Sequence, residues 1–407
     1  MLDYQGSLDY IYSFVSHEKK IRYPFSAATY NLGRMRTLLA RLGNPQNRFY
    51  SVHIAGTKGK GSTSAMTESI LRHAGFRTGL YTSPHLHTFR ERIRINGELI
   101  SRPGLVALVE QVRPAIEVTP GVTTFELITA LAFTHFANEG VEWAVLEVGL
   151  GGRLDATNVV HPRICAITSL SYDHTEILGH TLSLIAWEKA GIMKPGVPVV
   201  VAPQQPEAMS VIEDVAGDSG ADLIVLDQNW TYRRGVSGYW GQELDIYCRK
   251  HSPALDQPSE RATFRSEETE HCSLCQLGLR IPFLGQHQLV NATTAVAVIQ
   301  QLRQMGVKIS DEALRIGLAN ARWPGRLEIL NRQRAIGPTL VVDSAHNADS
   351  AEKLRLALQE LFHPDQSKRL GLVFGASWDK DIEGMLRVLL PLADYVVASR
   401  SRHPRAA

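Results

Sequence analysis

The stretch Ser51-Val-His-Ile-Ala-Gly-Thr-Lys-Gly-Lys-Gly-Ser62 decides the fold of this chain. It begins as an apolar, β-rich run, passes into a glycine-rich loop that carries Lys60, and leads into a helical pattern from about Ser62. Glycines let backbone N–H groups approach a polyphosphate, the start of a helix favours negative charge, and a lysine offsets more of that charge. The order strand, loop, helix favours a phosphate-binding loop over a glycine turn without a ligand, although Gly61 separates the lysine from the serine, unlike in the usual P-loop.

The alternation of short apolar runs and helical patterns extends along the rest of the chain. The runs are apolar on both faces, which is typical of strands in a parallel sheet that helices cover. Helical stretches such as Ser62–His73 and Leu182–Ala190 lie between them, so the pattern predicts a doubly wound, mostly parallel α/β fold. The predicted strands are Tyr50–Ala55, Trp143–Val148, Ile164–Thr168, Val197–Val201, Leu223–Leu226, Leu340–Val342, Leu370–Phe374 and Tyr395–Ala398.

The composition excludes several classes of protein. The chain has 407 residues with 43 basic and 41 acidic side chains, and its net charge of +2 does not support a protein that coats nucleic acid or binds membranes through basic residues. Its apolar runs are far shorter than the roughly 18 residues of a membrane-spanning helix, and its N-terminus lacks the pattern of a signal peptide. Four cysteines do not make a disulfide framework in such a chain, so we expect a cytoplasmic protein.

The length predicts two or three domains at roughly 150 residues per domain. The clearest break is the turn Trp323-Pro-Gly325, which follows helical patterns such as Asn291–Met305. We therefore predict a large domain with N-terminal helices over residues 1–322 and a smaller α/β domain over residues 323–407. The polar, loop-rich stretch near residues 229–277 predicts hairpins or an insertion at the surface.

Polar side chains lie at or after the ends of three apolar runs, where they would not be expected in a core. The runs are Gly79–Ser83, Trp143–Val148 and Ile164–Thr168. The side chains are Ser83, Glu147 and His174. In an open parallel sheet, ligands bind outside the carboxyl ends of the strands, and a buried glutamate needs a partner or a cation. We predict that the three side chains meet at the phosphate loop and complete a divalent-metal site with nucleotide oxygens and water. For His174 alone, a structural histidine or helix cap is the simpler interpretation.

These residues resemble the motifs of the folylpolyglutamate synthase/dihydrofolate synthase family, a branch of the Mur-ligase-like amide ligases. The resemblance runs in order along most of the chain, and the block from Leu146 to Asn158 is its most specific part. The family implies an ATP-binding domain, a smaller Rossmann-like C-terminal domain and an active site in the cleft between them. The matching motifs are His53-Ile-Ala-Gly-Thr-Lys-Gly-Lys-Gly-Ser62, Tyr81-Thr-Ser-Pro-His-Leu86, Leu146-Glu-Val-Gly-Leu-Gly-Gly-Arg-Leu-Asp-Ala-Thr-Asn158 and Asp173-His174.

The resemblance implies a ligase that joins L-glutamate to a folate-type carboxylate. ATP would phosphorylate the carboxylate, and the amine of glutamate would displace the phosphate to leave an amide. The expected substrates are ATP, L-glutamate and dihydropteroate or reduced folates, with Mg²⁺ and room for a second divalent or monovalent cation. Which folate acceptor is used stays open. The alternatives are a Mur-type cell-wall ligase and, from another class, a P-loop ATPase or nucleotide-binding switch without ligase activity.

The resemblance also implies roles for individual residues. Ser83, Glu147 and His174 match magnesium ligands, and Lys189 matches a lysine that is often carbamylated in this family. His346 lies where a loop of the second domain reaches toward the acyl phosphate. Arg326 would stabilise the transferring phosphate once the domains close. The expected catalytic side chains are Lys60, Lys189 and His346, and the expected ATP contacts are Gly59, Lys60, Gly61, Ser62, Asn291, Arg326 and Asp343.

Two segments resemble the dihydropteroate-contacting parts of the family. In them Phe125 would pack on the flat ring, and Glu126 or Asp155 would bond its polar edges. Helix-start packing or an N-cap is an equally good interpretation of each residue by itself. The residues of the two segments are Thr123, Thr124, Phe125, Glu126, Leu154, Asp155 and Ala156.

The chain departs from the family pattern in three places. Lys58 stands where asparagine is usual, which adds positive charge near the phosphates, and Ala348 stands where proline is common. The chain stops where relatives continue, so we expect a shortened second domain. The oligomeric state is open, and a monomer is compatible with a cleft whose two sides lie on one chain.

The cysteines raise a separate hypothesis. Two pairs, Cys248-x-x-His251 and Cys272-x-x-Cys275, have spacings that zinc sites use, although such pairs often arise by chance. Cys165, in an apolar strand, is expected to be a small core residue.

Overall fold

A sheet of eight strands forms the centre of the fold in the computed structural model, which describes residues 2–14, 32–248, 275–331, 337–362, 369–378 and 380–400. The spatial order of the strands is β4-β3-β2-β5-β1-β6-β7-β8. The strands from β2 to β8 in that order run parallel, and β3 and β4 add an antiparallel edge. In chain order they are β1 (Tyr50–Ala55), β2 (Thr78–Tyr81), β3 (Ile93–Ile95), β4 (Glu98–Leu99), β5 (Trp143–Glu147), β6 (Ile164–Ile167), β7 (Val199–Val201) and β8 (Leu223–Val225).

Helices cover both faces of this sheet, which confirms the predicted doubly wound α/β fold. One apolar cluster lies between the sheet and the third, ninth and tenth helices. Two clusters on the opposite face pack the first, second, fourth and fifth helices and the seventh and eighth helices. The helices are α1 (Tyr4–Ser13), α2 (Leu32–Arg41), α3 (Lys60–His73), α4 (Arg102–Glu117), α5 (Thr124–Asn138), α6 (Thr175–Leu178), α7 (Leu182–Ala190), α8 (Pro206–Ser219), α9 (Gln286–Gln304), α10 (Asp311–Ala319), α11 (Ala348–Leu361) and α12 (Ile382–Leu389).

The parallel register brings the carboxyl ends of the central strands to one edge of the sheet. Val52 in β1 pairs with Val145 in β5 and with Ile164 in β6. Two residues further along both strands, Ile54 pairs with Glu147, the last residue of β5. The phosphate loop after β1 and the carboxylate at the end of β5 therefore lie side by side.

The stretch in which hairpins were predicted forms a second, antiparallel sheet. Its strands are β9 (Trp230–Gly238), β10 (Gly241–Cys248) and β11 (Gln276–Ile281). Leu244 and Ile246 of β10 belong to the same apolar cluster as α9 and the main sheet. The sheet is thus more than a surface insertion, because alternate residues of its strands complete the core. Polar residues between these apolar ones make the strand pattern hard to recognise in the sequence.

The part of the chain after Trp323 contributes to two further apolar clusters, one of which also includes Leu284. It contains an antiparallel pair, β12 (Glu328–Ile329) with β13 (Val341–Val342), and a parallel pair, β14 (Gly371–Phe374) with β15 (Tyr395–Ala398). Helices α11 and α12 pack against these strands. The boundary between residues 322 and 323 stays a prediction. Within the residues that the structure describes, no helix has the length and hydrophobicity that crossing a membrane requires.

Candidate functional site

The loop between β1 and α3 has positive φ angles at two positions, and both are occupied by glycine. The φ angles of Gly56 and Gly59 are +148° and +88°. A Cβ atom on Gly59 would overlap Asn291 Oδ1, and one on Gly61 would overlap the Trp323 ring. Helix α3 begins at Lys60, two residues before the predicted start, so its free N–H groups lie at the end of the loop. This is the geometry of an anion-binding loop.

Two lysines donate to the same carbonyl oxygen in this loop. The Nζ atoms of Lys60 and Lys189 lie 3.0 Å and 2.9 Å from the oxygen of Gly56. Lys189 is only 5% exposed, although the sequence alone favoured a solvated helix residue. Burial, followed by the charge of Lys60, lowers the pKa of Lys189 to about 7, while Asp173 and Asp155 raise it. A large fraction of neutral amine is therefore present near neutral pH.

Glu147 and Ser83 are brought together beside Lys60, as predicted from the ends of their strands. Glu147 is 4% exposed, and its Oε2 accepts a hydrogen bond from the Ser83 N–H at 3.3 Å. Burial raises the pKa of Glu147, and Lys60, the Ser83 N–H, Arg326 and Arg92 lower it. A carboxylate and a hydroxyl among cations fit a hard divalent ion bound to nucleotide phosphates.

His174 lies at the start of α6, on the loop that follows β6. Its φ angle is +51°, and about half of its side chain is exposed. Desolvation lowers its pKa to about 4, Asp173 raises it, and Lys380, Lys189 and Lys60 lower it, so the imidazole is neutral at neutral pH. The described residues contain no preformed cluster of three or more His, Cys, Asp or Glu side chains that could hold a metal. The predicted site with Ser83 and Glu147 would need the nucleotide to complete it.

His346 reaches the phosphate loop from the second half of the chain. Its Nε2 atom lies 3.2 Å from Lys58 Nζ and 3.5 Å from Asp173 Oδ2. Burial raises the pKa of Asp173, but His346, Lys58 and His174 outweigh burial and hold that pKa well below its usual range. The site therefore contains an ionised carboxylate between a lysine and two histidines.

Three of the predicted ATP contacts, Asn291, Arg326 and Asp343, lie near the phosphate loop in different structural settings. Asn291 lies inside α9, packs on Gly59, and donates from Nδ2 to Gln288 Oε1 at 3.0 Å. Asp343 accepts from the backbone N–H groups of Leu327 and Ala345 at 2.8 Å and 2.7 Å. These two bonds fix the turn that carries Arg326. Burial raises the pKa of Asp343, and the two bonds and the charge of Arg326 lower it.

The first predicted folate segment is engaged in local structure. Thr123 and Glu126 form a capping box at the start of α5, with Glu126 Oε2 accepting from the Thr123 N–H at 2.8 Å. Glu126 is also paired with Arg34, whose Nε lies 2.8 Å away. Thr124 donates to the carbonyl of Phe14 at 2.9 Å. The ligand roles of Thr123, Thr124 and Glu126 stay predictions, and these contacts give each residue a structural role as well.

The second segment, with Phe125 beside it, surrounds the glycine run at 149–152. Phe125 packs against Gly149 and lies 6.1 Å from the Tyr81 ring centroid. Asp155 Oδ2 accepts from the N–H groups of Gly149 and Leu150, and Oδ1 accepts from Thr157. Burial raises the pKa of Asp155, and these bonds lower it. Leu154 is half-buried and Ala156 is buried beside it.

Several residues of the site were missed by the sequence analysis. Arg92, which lowers the pKa of Glu147, donates to His85 Nδ1 at 2.9 Å and stands in a charged stretch without a pattern. Arg34 is separated from Glu126 by 92 residues, so no local spacing could reveal their ion pair. Thr157 lies inside the Leu146–Asn158 block, which did offer a signal.

The zinc hypothesis is not decided by this structure. Cys248 and Cys275 are described, whereas His251 and Cys272 lie outside the described residues. Cys165 is fully buried and burial raises its pKa to about 12, which confirms it as a core residue.

Comparison with known proteins places this geometry in a family. The Mur ligase middle domain model matches residues 54–299, and the Mur ligase, glutamate ligase domain model matches residues 325–407. The chain is 38% identical over 383 residues to the dihydrofolate synthase/folylpolyglutamate synthase of Bacillus subtilis (strain 168), covering 92% of this chain and 82% of that protein.

Solved structures show the same relationship. Folylpolyglutamate synthase from Thermotoga maritima matches with a TM-score of 0.80 and 34% identity, over 99% of this chain and 84% of that one. An FPGS–AMPPCP–folate complex matches with a TM-score of 0.82 and 32% identity, over 98% of this chain and 89% of that one.

Proposed function

The chain belongs to the folylpolyglutamate synthase/dihydrofolate synthase family of Mur-type ligases, and from that premise we propose that it uses ATP to join L-glutamate to a folate-type carboxylate. One observation carries the proposal. The phosphate loop, the buried Glu147–Ser83 pair and the charge of Arg326 converge at one edge of the sheet. A phosphate loop alone would serve an ATPase or a switch, but it would leave Glu147 and Lys189 without a joint purpose.

The reaction has two balanced steps. An oxygen of the folate carboxylate attacks the terminal phosphorus of ATP, so that ADP leaves and an acyl phosphate forms. The amine of glutamate then attacks the acyl carbon, a proton is lost from the nitrogen, and inorganic phosphate leaves. Lys60 and the N–H groups at the start of α3 neutralise charge on the phosphates, and positioning supplies most of the remaining acceleration.

Ser83, Glu147 and His174 would hold the magnesium ion that accompanies ATP. When bound, the ion offsets negative charge on the phosphates. Glu147 fits this role because it is a buried carboxylate with one N–H contact, at 3.3 Å, and neighbouring cations that favour its ionised form. We further propose Arg326 and Asn291 as ATP contacts, with Asp343 holding the turn that carries Arg326.

Lys189 is proposed to act as a carbamate. Carbon dioxide reacts with a neutral amine, and a pKa of about 7 leaves a large neutral fraction that grows as the pH rises. The carbamate would replace an ammonium with an oxygen donor for a second cation. We expect activity to fall when carbon dioxide is removed and to return with bicarbonate, whereas a Lys189→Ala variant should not respond. Equal activity with and without carbon dioxide would exclude the carbamate.

The folate end of the site is proposed to lie beside the glycine run. Phe125 offers a ring surface next to Tyr81 and Gly149, while the hydrogen bonds of Asp155 and Glu126 shape the walls around it. The choice between dihydropteroate and tetrahydrofolate is an experimental question. Cytoplasmic location and a monomeric state also stay predictions.

The ligase activity is tested by phosphate release and product mass. Purified protein is given ATP, magnesium, L-glutamate and either dihydropteroate or tetrahydrofolate. We expect phosphate release that requires both glutamate and the folate, with a product one glutamyl residue heavier than the acceptor. ATP hydrolysis at the same rate without either substrate would contradict the ligase and favour an ATPase.

The site is tested by two substitutions. Lys60→Ala and Glu147→Ala should each abolish product formation while leaving the unfolding transition intact, because Lys60 neutralises charge on the phosphates and Glu147 would hold the magnesium ion. Lys308→Ala, at an exposed lysine in the turn after α9, is the matched control and should remain active. Near-normal turnover in either variant would show that the substituted residue is not part of the active site.

A further inference from the structure

Lys58 belongs to the phosphate loop, and the ligase mechanism above does not use its side-chain contacts. It lies between β1 and α3, and its backbone N–H donates to the carbonyl of Ser169 at 3.0 Å. The neighbouring Thr57 makes a second bond to the same carbonyl at 3.0 Å and donates from Oγ1 to the carbonyl of Ser171 at 3.1 Å. The backbone of Lys58 is therefore tied to the segment that leads to Asp173.

The side chain of Lys58 holds two groups at once. Its Nζ atom lies 3.0 Å from Asp173 Oδ2 and 3.2 Å from His346 Nε2. Lys58 and Asp173 are shielded from solvent, with side-chain exposures of 13% and 14%. A shielded ammonium has few water partners, so these two contacts carry most of its hydrogen bonding.

The tautomer of His346 follows from its other contact. His346 Nδ1 lies 3.0 Å from the carbonyl oxygen of Ser344, and a carbonyl only accepts. In the tautomer that this contact selects, Nδ1 carries the hydrogen and Nε2 accepts from the Lys58 ammonium. The lysine thus donates to a defined atom of His346.

The two partners of Lys58 come from distant parts of the chain. Asp173 belongs to the loop after β6, whereas His346 is separated from Lys58 by 288 residues and precedes the cap of α11. Asn347, the next residue, caps that helix through Ser350. The side chain of Lys58 therefore joins the loop after β6 to a residue of the second half, beyond the turn at Trp323.

We propose that Lys58 is a positioning residue, whose ammonium is neutralised by Asp173 and holds His346 over the phosphate loop. The proposal rests on the proposed ligase function, because it assigns the placement of a side chain at the acyl-transfer site. It differs from a role as a phosphate ligand, which would act on ATP binding and not through His346.

The contact itself is tested without any turnover, by nitrogen-15 NMR of the histidine rings in the full chain. The His346 signals are assigned by their loss in His346→Ala. In Lys58→Met, which keeps an unbranched stem but removes the donor, we expect the Nε2 signal of His346 to shift, whereas Lys308→Met should leave it in place. An unchanged Nε2 signal in Lys58→Met would overturn the contact, whatever reaction the protein catalyses.

The functional consequence is tested by kinetics and a double-mutant cycle. We expect Lys58→Met to lower kcat at least about tenfold with a KM for ATP within about threefold, and Lys58→Arg to restore much of kcat. Lys58→Met in the His346→Ala background should have little further effect, because the residue it acts through is gone. Multiplicative effects, or a raised KM for ATP with unchanged kcat, would overturn the positioning role. Failure of wild-type protein to form product would instead refute the ligase, while the NMR result still decides the contact.

Discussion

A buried histidine shows how one residue organises the glycine-rich wall of the site. His53 Nε2 lies 2.8 Å from Thr157 Oγ1, which lies 2.5 Å from Asp155 Oδ1. The threonine hydrogen goes to the carboxylate, so His53 Nε2 must donate to the hydroxyl. Asp155 in turn accepts from the N–H groups of Gly149 and Leu150. The His53 ring is fully buried in β1, and burial favours its neutral form.

The neutrality of His53 makes stability depend on pH. Burial, and then the charge of Lys194, lower its pKa to about 3 in the folded state, against 6.5 for an ordinary histidine. Between these values only the unfolded chain binds the proton, so the stabilisation is complete above pH 6.5 and is lost as the pH falls toward 3. In His53→Gln we expect the free energy of unfolding to fall less steeply with decreasing pH, by up to about 1.4 kcal/mol per pH unit.

Urea unfolding between pH 4.5 and 7 measures this difference. His161→Gln, at an exposed histidine, is the matched control and should keep the wild-type slope. Identical slopes in wild type and His53→Gln would show that the buried ring does not remain neutral.

Helix α3 has a glycine with positive φ at each end, and only one of them faces the site. Gly59 has φ +88° and Asn291 against it, whereas Gly75 has φ +93° and no atom within 4 Å of an added Cβ. We expect Gly59→Ala to weaken ATP binding at least about tenfold, because the loop must shift away from α9 as well as accept backbone strain.

Calorimetric titration with ATP compares the two ends of the helix. Gly75→Ala introduces only backbone strain, which should lower the free energy of unfolding by about 1–2 kcal/mol. Its affinity for ATP should equal that of wild type. Equal affinities of Gly59→Ala and wild type would mean that the phosphates do not contact this loop.

Strand β10 provides a prediction for the second sheet. Leu244 is 1% exposed and packs in the cluster with α9, whereas Val236 on neighbouring β9 is 64% exposed. Leu244→Ala should lower the free energy of unfolding by about 2–5 kcal/mol, and Val236→Ala by about 0.5 kcal/mol or less. Urea unfolding decides this, and similar losses in both variants would place the sheet outside the core.

The whole molecule is held together around its site by contacts between the two halves of the chain. Trp323 covers Gly61 at the start of α3, and the Tyr239 and Phe362 rings stack at 5.2 Å. Arg234 and Glu360 form an ion pair beside that stack. The second sheet therefore contacts the end of α11, while the phosphate loop contacts the turn before β12.

Arg326, in the second half of the chain, is the charge that we propose for the transferring phosphate. Arg326→Met should lower kcat about 100-fold or more while changing the KM for ATP only a few-fold, because the guanidinium is needed most as charge moves to the transferring phosphate. Steady-state kinetics with all three substrates measures both constants. Arg322→Met, at an exposed arginine four positions earlier, is the control and should keep kcat close to that of wild type. A kcat of Arg326→Met equal to that of wild type would contradict the proposed role of Arg326.

Elements with strong periodicity could be predicted closely, whereas contacts between distant segments could not. Strands β1 and β15 and helix α7 have the predicted bounds. Helix α9 begins at Gln286, five residues before the predicted start, and Gly285 before it offers no side-chain cap that would mark the start in the sequence. Lys189 was recognisable only by resemblance, since its burial depends on how α7 packs against the phosphate loop.

The α/β fold and the glycine loop between β1 and α3 could be predicted from the sequence, because apolar runs, glycines and the order of elements act over short stretches of chain. The sequence also determined that Ser83 and Glu147 would meet, since parallel strands end at one edge of a sheet. Only the tertiary structure decided which groups surround them. The contact of Lys58 with Asp173 and His346, the shared carbonyl of Lys60 and Lys189, and the pairing of Arg34 with Glu126 join segments far apart in the chain. Their energies come from packing and desolvation, which exist only once the chain has folded.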